Sequence, residues 1–335
     1  MTGPNVTGPR RTGTAWSATA VPLPGFGVPS PAPRTDDDDL ELVAAHLLAE
    51  DPEGRQFAAA LRRTIDMLLD GQHTGRYRWE QLHKTEKTHA GTLVEINLQR
   101  EFGFRDGDRL DYRICGSDVD CKFSQTIGGW MIPPEAEDGL CLLLWASDEQ
   151  SEWSAGLIRA TPARLREAAN RDRKRSLSPV GNAAIRWLFR NAALPENVLL
   201  RLRPWDVAAI MAGKSGQQRV NELFRRAQRR PVSRTAVLTV VTSPGDPMKR
   251  VRYNGGARDQ LRPEGIVIFG GYASHNAAAQ VLGLPTAGDG EFVSARLARL
   301  REHHGDAPRV RLDGAEWVLA TPSDPPETAP LLPAI

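Results

Sequence analysis

Hydrophobic and polar residues alternate in two adjacent stretches of the chain, residues 109–115 and 118–124. A period of two predicts β-strands with one buried face, and the Gly-Ser pair between the stretches predicts a tight hairpin turn. The second strand presents Asp120 and Lys122 on its polar face. Antiparallel pairing would allow Asp111 of the first strand to approach Asp120, although the sequence alone does not fix the register.

Apolar residues at helical spacing flank this hairpin, and longer apolar runs follow it. Acidic residues ahead of the first helix suit the positive end of its dipole. The predicted helices of this half are 40–48, 53–70, 88–102, 163–170 and 182–191, and the strands after the hairpin are 140–146 and 153–160. This order predicts an α/β (mixed α+β) domain with a central mixed sheet and helices on its faces.

The second half begins with two helices that are separated by a short glycine-containing turn. Helix, turn and basic helix is the helix-turn-helix arrangement, with Ser215 as the N-cap of the second helix. The predicted helices are 206–212 and 216–228, and the predicted strands are 198–202, 236–242 and 265–269. We therefore expect domains at 36–192 and 197–325, between a proline-rich disordered tail at 1–35 and a frayed tail at 326–335.

Composition places these patterns in an ordinary globular protein. The 335 residues are 40% hydrophobic and 25% charged, which allows two domains with a core each. The three cysteines are an odd number without zinc-ligand spacing, so we expect small buried side chains in a reducing compartment and no disulfide. The absence of a signal peptide and of a membrane-length apolar run predicts a cytoplasmic protein.

Positive charge is concentrated in the second half, although the formal net charge of the chain is only +2. Residues 201–262 contain 14 Lys and Arg against 4 Asp and Glu. A solvated basic face would give the same excess, but its coincidence with the helix-turn-helix pattern favours contact with DNA. The candidate DNA-binding residues are Lys214, Gln217, Gln218, Arg219, Asn221, Arg225 and Arg226 on the second helix, and Lys249, Arg250, Arg252 and Arg258 in a flexible basic loop that would form a wing.

The acids around the hairpin are suited to phosphodiester hydrolysis. That reaction needs a divalent metal, an activated water and stabilisation of negative charge in the transition state. Asp111 and Asp120 would supply oxygen ligands, and Lys122 would orient or deprotonate the water. Glu95, within an otherwise apolar helix, would be a third acid. A D-x-K triplet alone arises by chance on many surface strands, but helix glutamate, hairpin aspartate and D-x-K in this order are more specific.

Five long strings of the sequence are similar to one known family. They are residues 81–88 (QLHKTEKT), 91–98 (GTLVEINL), 119–124 (VDCKFS), 219–226 (RVNELFRR) and 261–266 (LRPEGI). In the same order, they closely resemble the NaeI family of type IIE restriction endonucleases. The resemblance extends over about residues 38–320 and leaves out only the two ends.

The resemblance implies an N-terminal domain with a restriction-endonuclease-like fold and a variant PD-(D/E)xK site. Carried onto this sequence, the catalytic set is Glu95, Asp111, Asp120 and Lys122, and the three acids hold the cofactor Mg²⁺. Leu110 stands where the generic motif has proline, which is not a ligand, so the chemistry is unaffected. The implied second domain is topoisomerase-like. It contains a winged helix of the catabolite-activator type, which binds a second, effector copy of the recognition site and activates cleavage.

The implied protein is a homodimer that cuts both strands of double-stranded DNA at a palindromic, GC-rich site such as GCCGGC. A cognate DNA methyltransferase is expected in the same restriction-modification system. Two alternatives stay open at this point. One is a non-catalytic DNA-binding regulator in which D-x-K is incidental, and the other is a repair nuclease that acts on mismatched or damaged duplexes.

Overall fold

The computed structural model describes residues 36–242 and 247–333, so the tail expected at 1–35 lies outside the described residues. The helices are α1 (Asp38–Glu50), α2 (Arg55–Leu69), α3 (Gly71–Thr74), α4 (Lys84–Phe102), α5 (Pro179–Ala183), α6 (Val198–Arg201), α7 (Pro204–Met211), α8 (Gly216–Arg226), α9 (Arg234–Val241), α10 (Ala257–Gln260) and α11 (Ala273–Val281). The strands are β1 (Arg105–Asp106), β2 (Tyr112–Ile114), β3 (Ser117–Ser124), β4 (Met131–Ile132), β5 (Leu140–Ser147), β6 (Glu152–Arg159), β7 (Leu165–Ala169), β8 (Arg175–Leu177), β9 (Arg186–Ala193), β10 (Pro231–Val232), β11 (Ile266–Gly270), β12 (Phe292–Arg299), β13 (Arg309–Leu312) and β14 (Ala315–Leu319).

The main sheet of the first half has the strand order β1-β2-β3-β5-β6-β9. Strand β5 runs parallel to β3, while the other neighbouring pairs are antiparallel. A smaller sheet, β4-β8-β7, lies outside this order. The prediction of a mixed sheet combined with helices is therefore confirmed.

The hairpin turn between β2 and β3 lies one residue earlier than predicted. Cys115 and Gly116 both have positive φ, at 49° and 84°, as a two-residue turn of type I′ requires. Ser117 already pairs with Ile114 and is the first residue of β3. Cys115 is exposed at this turn, against the expectation that every cysteine is buried, whereas the other two cysteines are buried.

Helices α2 and α4 pack together and belong to the same core as β3 and β5. Leu61 of α2 and Leu98 of α4 are at most 1% exposed. Helix α4 begins about one turn earlier than predicted, because Glu86 accepts a hydrogen bond from the amide of His83 at 2.7 Å and satisfies a free N–H group. These contacts fix the helix that carries Glu95.

Two helices predicted in the first half are largely strands. Residues 163–170 form a 3-10 turn, Pro162–Arg164, and then β7, which pairs with β8. Residues 182–191 include only the end of α5 before β9 begins. Strand β9 pairs with β6 and buries Leu188 and Phe189, so pairing within the sheet outweighs the local helix preference.

The two strands predicted at 198–202 and 236–242 are instead helices, α6 and α9 respectively. Ser233 caps α9, because its hydroxyl accepts a hydrogen bond from the amide of Ala236 at 3.1 Å. Val237, Val240 and Val241 then form a buried face at helical spacing. A short valine-rich run is compatible with either period, and here packing selects the helix.

The remaining strands of the second half centre on β12, which pairs antiparallel with β10, β11 and β14. Helices α7 and α8 match the prediction, and the Ser215 hydroxyl caps α8 by accepting from the amide of Gln218 at 3.2 Å. The tail expected to fray packs into the core through Ala329 and Leu332, up to residue 333. Across the described ranges, no helix combines the length and apolar character needed to cross a bilayer.

Candidate active site

The hairpin places Asp111 beside Asp120. Tyr112 pairs with Val119 in the antiparallel hairpin. The residue before Tyr112, Asp111, therefore lies opposite the residue after Val119, Asp120. Asp111 lies just before β2, and its Oδ2 accepts a hydrogen bond from the amide of Cys121 at 2.6 Å. The two carboxylates therefore lie close together, as the alternating pattern allowed.

The loop before Asp111 is held by the strand that carries Asp120. The Asp118 carboxylate accepts hydrogen bonds from the amides of Asp108 and Arg109, at 3.2 and 3.0 Å. These bonds fix the loop that presents Asp111. They give Asp118 a structural role and separate it from Asp120, two residues further along the same strand.

Lys122 lies within reach of both aspartates. Its Nζ is 2.7 Å from Oδ2 of Asp120 and 3.7 Å from Oδ2 of Asp111. Burial opposes the charged ammonium, but the two carboxylates outweigh it and hold the pKa of Lys122 above its ordinary value. A lysine that keeps its proton at neutral pH can orient water and offset negative charge, but it is a poor base.

Glu95 joins the cluster from α4. The hydroxyl of Tyr112 donates to the Glu95 carbonyl oxygen at 2.7 Å, which ties this turn of α4 to β2. Burial raises the pKa of Glu95, and so does the negative charge of Asp111, while Lys122 acts in the opposite direction. The structure thus brings the four residues singled out from the sequence into one cluster.

Asp120 is the most deeply buried of these acids, with 3% of its surface exposed. Burial raises the pKa of Asp120 to about 6, although Lys122 lowers it in part. Its Oδ2 has the ion-pair contact with Lys122, yet no donor among the described residues reaches it with hydrogen-bond geometry. The Lys122 ammonium is thus the one described group in polar contact with this buried oxygen, whose remaining lone pairs can accept a further ligand.

The donor set suits a hard divalent cation. Three carboxylates face one ammonium, so negative charge is in excess, and this excess adds to burial in raising the pKa values of Asp120 and Glu95. Carboxylate oxygens are the ligands that Mg²⁺ and Ca²⁺ prefer. The neighbouring Asp111 and Asp120 carboxylates therefore fit the role of ligands, while Glu95 adds negative charge from α4.

One nearby acid was not singled out from the sequence. Glu135 is exposed in the 3-10 helix Pro134–Ala136, and its charge contributes to the raised pKa of Asp120. It approaches because β5 runs parallel to β3, so the segment that leads into β5 lies near the beginning of β3. Two prolines and a glutamate ahead of an apolar run were the available signal, but the sequence does not reveal the parallel pairing.

A second cluster with metal-ligand side chains, in the second half, satisfies its polar atoms internally. The Nε2 atoms of His303 and His304 lie 2.9 and 3.0 Å from the two oxygens of Asp324. Nδ1 of His304 accepts a hydrogen bond from the Arg301 amide at 2.9 Å, which leaves its Nε2 proton for Asp324. The amide of Thr321 and the two imidazoles hold the pKa of Asp324 well below its usual range.

The polar residues of α8 predicted to read bases are partly turned towards the protein. Asn221 is 6% exposed, and its Nδ2 donates to Oε1 of Gln260 at 2.7 Å. Gln217 donates to Oδ1 of Asn221 and to the Arg250 carbonyl, both at 2.9 Å. This network joins α8 to the segment that begins at residue 247.

The arginines of α8 also have partners within the protein. Arg219 donates to the Thr242 hydroxyl at 2.7 Å, Arg225 pairs with Glu264 at 2.6 Å, and Arg226 pairs with Asp206 at 2.6 Å. Lys214 and Gln218 are exposed at the beginning of the helix. The local excess of positive charge is therefore partly neutralised by neighbouring acids.

The basic segment at 249–258 is more ordered than the predicted loop. It contains the end of a 3-10 helix, Pro247–Arg250, and the beginning of α10. Lys249 and Arg252 are exposed and Arg250 is partly buried, whereas Arg258 is only 6% exposed. Lys249 of this segment and Lys214 are thus exposed to an approaching polyanion.

Comparison with known proteins places the whole chain in one family of enzymes. Residues 41–328 match the family model described as restriction endonuclease NaeI. The chain is 49% identical over 306 residues to the type II restriction enzyme NaeI of Lentzea aerocolonigenes, which covers 89% of this chain and 95% of that relative. The chain is thus a site-specific deoxyribonuclease of the restriction-endonuclease class. It belongs to the NaeI family of restriction endonucleases, which confirms the resemblance noted in the five sequence strings.

Proposed function

We propose that this protein is a Mg²⁺-dependent type II restriction endonuclease that hydrolyses both strands of duplex DNA at a palindromic site. Its products would carry 5′-phosphate and 3′-hydroxyl ends. The observation that carries the proposal is the cluster at the hairpin, in which the neighbouring Asp111 and Asp120 carboxylates both lie within 4 Å of the Lys122 ammonium. This combination favours a hard cation next to a fixed ammonium.

In this proposal Asp111 and Asp120 hold Mg²⁺, and Glu95 completes the acidic set from α4. The bound ion would stabilise negative charge on the phosphoryl group and lower the pKa of the attacking water. Lys122, whose pKa is raised by its acidic neighbours, keeps its proton, orients the water and offsets charge in the transition state. The amide of Cys121 fixes Asp111 in position.

The proposal includes a second DNA site in the domain expected at 197–325, where an effector copy of the sequence would activate the catalytic domain expected at 36–192. The helix pair α7 and α8 would form the helix-turn-helix, and the antiparallel strands β10, β11 and β12 follow it, with α11 between β11 and β12. The exposed Lys214, Lys249 and Arg252 would contact phosphates. This region would be the topoisomerase-like domain that the family resemblance implies.

A symmetric recognition site calls for a two-fold dimer, so we propose a homodimer. Family membership supports a GC-rich hexamer close to GCCGGC and a cognate DNA methyltransferase that protects the same site. The expected setting is the cytoplasm, where both enzymes meet chromosomal DNA.

A plasmid digest with and without Mg²⁺ tests the catalytic proposal. We expect cutting at discrete sites only when Mg²⁺ is present, and sequencing of the ends would give the site and the cut position together. A protein that retards DNA in a gel but never cuts it would support the regulator instead. Preference for mismatched or damaged duplexes over an intact palindrome would support the repair nuclease.

The effector proposal has a separate test. A short duplex that carries the recognition site is added to a plasmid whose single site is cut slowly. We expect the duplex to accelerate plasmid cleavage, while a duplex of the same length with a scrambled site has no effect. Equal rates with both duplexes would contradict activation by a second DNA copy and leave the catalytic proposal standing.

A further inference from the structure

Arg258 is a buried cation whose partners are incomplete. It is 6% exposed, and its Nε donates to the Ile268 carbonyl at 3.0 Å. Its Nη2 is buried and has no hydrogen-bond partner within the described ranges. Burial lowers the pKa of Arg258, with only the Tyr253 and Tyr272 side chains acting against it. A guanidinium keeps its charge in proteins, and buried arginines are normally paired with an anion.

The unpartnered nitrogen points at the end of β11, where the sequence reads Phe269-Gly270-Gly271-Tyr272. A Cβ atom at Gly270 would lie 2.9 Å from Nη2 of Arg258 and 3.1 Å from the ring of Tyr272. The absence of a side chain at Gly270 therefore lets the guanidinium lie directly against the backbone of this turn. The amide of Gly270 donates to Nδ1 of the buried His275 at 3.0 Å, which fixes the end of the strand.

Helix α11 begins directly after these glycines. It has nine residues, and its N-cap, Tyr272, offers no side-chain hydrogen bond to the first turn. The first amides of a helix have no partner within the helix and carry the positive end of its dipole. A strand, a glycine-rich turn and a helix N-terminus form a common binding site for phosphate groups. Ala273, the first helical residue, is exposed, so the N-terminus of the helix is open to solvent.

We propose that Arg258 and the N-terminus of α11 together form a binding site for one phosphate group. The guanidinium supplies a fixed charge with a free donor, and the helix supplies amides that point at the same turn. The phosphate could be a phosphodiester of a DNA backbone or a free phosphate-bearing molecule. The first of these sources rests on the proposed binding of effector DNA, whereas the site itself does not.

The test places a carboxylate where the phosphate would bind. Asp at position 273 would sit at the first helical residue, neutralise Arg258 and satisfy the helix N-terminus, so Ala273→Asp should be at least as stable as the wild type. Ala277→Asp is the matched control, because it puts the same charge on an exposed position one turn further along α11. Thermal melting of both variants verifies that they fold.

Binding is measured on the full-length protein without Mg²⁺, so the outcome is independent of cleavage. Calorimetry with inorganic phosphate and fluorescence anisotropy with a labelled site-bearing duplex form the two arms. We expect Ala273→Asp to weaken at least one of them about tenfold, and Ala277→Asp to weaken neither. Weaker duplex binding, with the slope of log affinity against log salt reduced by about one, identifies a backbone phosphate. An effect on inorganic phosphate alone identifies a free ligand.

Arg258→Lys provides an independent second variant if Ala273→Asp does not fold. It keeps a positive charge but loses the planar fork of donors, so we again expect about a tenfold loss of phosphate or duplex affinity. The inference is overturned if the folded variants bind both inorganic phosphate and the duplex as the wild type does.

Discussion

Two clusters of buried charge in the first half contain similar side chains but differ in how well their atoms are satisfied. The junction cluster consists of Arg62, Asp66 and Asp148, and the guanidinium of Arg62 reaches both acids, at 2.7 Å for Asp66 and 2.5 Å for Asp148. In the hairpin cluster of Lys122, Asp111, Asp120 and Glu95, one ammonium faces three acids, so negative charge stays in excess. Asp66 also bonds Thr235 of α9, so the junction cluster links the first half to the second.

The difference follows from the geometry of the two cations. A guanidinium has five donors in a fixed fork and can satisfy two carboxylates at once, whereas an ammonium is a compact point charge. Burial opposes the charge on Arg62, yet its two acids together hold its pKa above the ordinary value. The lysine at position 122 leaves carboxylate oxygens free, which is what a metal centre needs. Stability is therefore expected from one cluster and catalysis from the other.

The largest expected effect is loss of cleavage in Asp120→Asn. An amide cannot replace a carboxylate as a ligand, so we expect about a 10³-fold lower single-turnover rate, equivalent to several kcal/mol of transition-state stabilisation. DNA binding in a gel shift should remain. Asp108→Asn, which changes an exposed aspartate of the neighbouring loop, is the control and should cut normally. Cleavage at the wild-type rate by Asp120→Asn would exclude this residue from the centre.

Lys122→Arg tests the geometric argument directly, because it keeps the charge and changes only its shape. The guanidinium fork should bond to Asp111 and Asp120 together and take the oxygens that a cation would use. We expect about a 10²-fold slower cleavage and a higher melting temperature of the metal-free protein. Lys87→Arg, a lysine-to-arginine change in the first turn of α4, is the control. An active Lys122→Arg enzyme would mean that the positive charge alone is required.

Asp148→Asn should have the opposite profile in the junction cluster. Asp148 has only 3% of its side chain exposed, and removing one partner of a buried pair costs about 3 kcal/mol of unfolding free energy. Urea unfolding measures this loss, and the folded variant should cleave DNA at the wild-type rate. Asp206→Asn breaks the more exposed pair with Arg226 and should cost less than about 1 kcal/mol. Equal losses in the two variants would contradict the comparison.

The sequence was sufficient to predict the two hairpin strands and the polar residues on their shared face, because both depend on local patterns. Strict alternation predicts which side chains share a face, but it does not fix the register. A turn at Gly116-Ser117 would have set Asp111 opposite Lys122, whereas the turn at Cys115-Gly116 sets it opposite Asp120. Long-range pairing was not accessible in this way. The parallel contact of β3 with β5, which brings Glu135 near, and the pairing of β9 with β6 depend on residues far apart in sequence.

The spacing of apolar residues in α8 already indicated that Asn221 would be buried, although this residue was assigned to base reading. Asn221 follows the buried Val220 directly and precedes the buried Phe224 by three positions, so it lies at the edge of the apolar face. Its burial against Gln260 follows from that position. The predicted strand at 236–242 failed for another reason, since a valine-rich run of seven residues carries no distinguishing period until its partners are known.

The smallest expected effect is the dependence of stability and of cleavage rate on pH. Titration of Asp120 should change these two properties in opposite directions. The pKa of Asp120 is about 6 in the folded protein, against an ordinary value of 3.8. A raised carboxyl pKa means that ionisation costs folding free energy, so the metal-free protein should lose stability as the pH rises from about 4 through about 6. Cleavage needs the carboxylate, so its rate should rise about tenfold per pH unit below pH 6.

As the pH rises towards 6, stability should therefore fall while the cleavage rate rises. Mg²⁺ should change both, because it binds the same Asp120 carboxylate. Because the ion competes with the proton for the Asp120 carboxylate, a higher Mg²⁺ concentration should shift the midpoint of the rate profile below pH 6. It should also raise the melting temperature more at pH 7 than at pH 5. Single-turnover rates and melting curves at three Mg²⁺ concentrations measure both shifts, with Asp120→Asn as the melting control. A rate midpoint that does not move with Mg²⁺ would show that the titrating group is not a ligand.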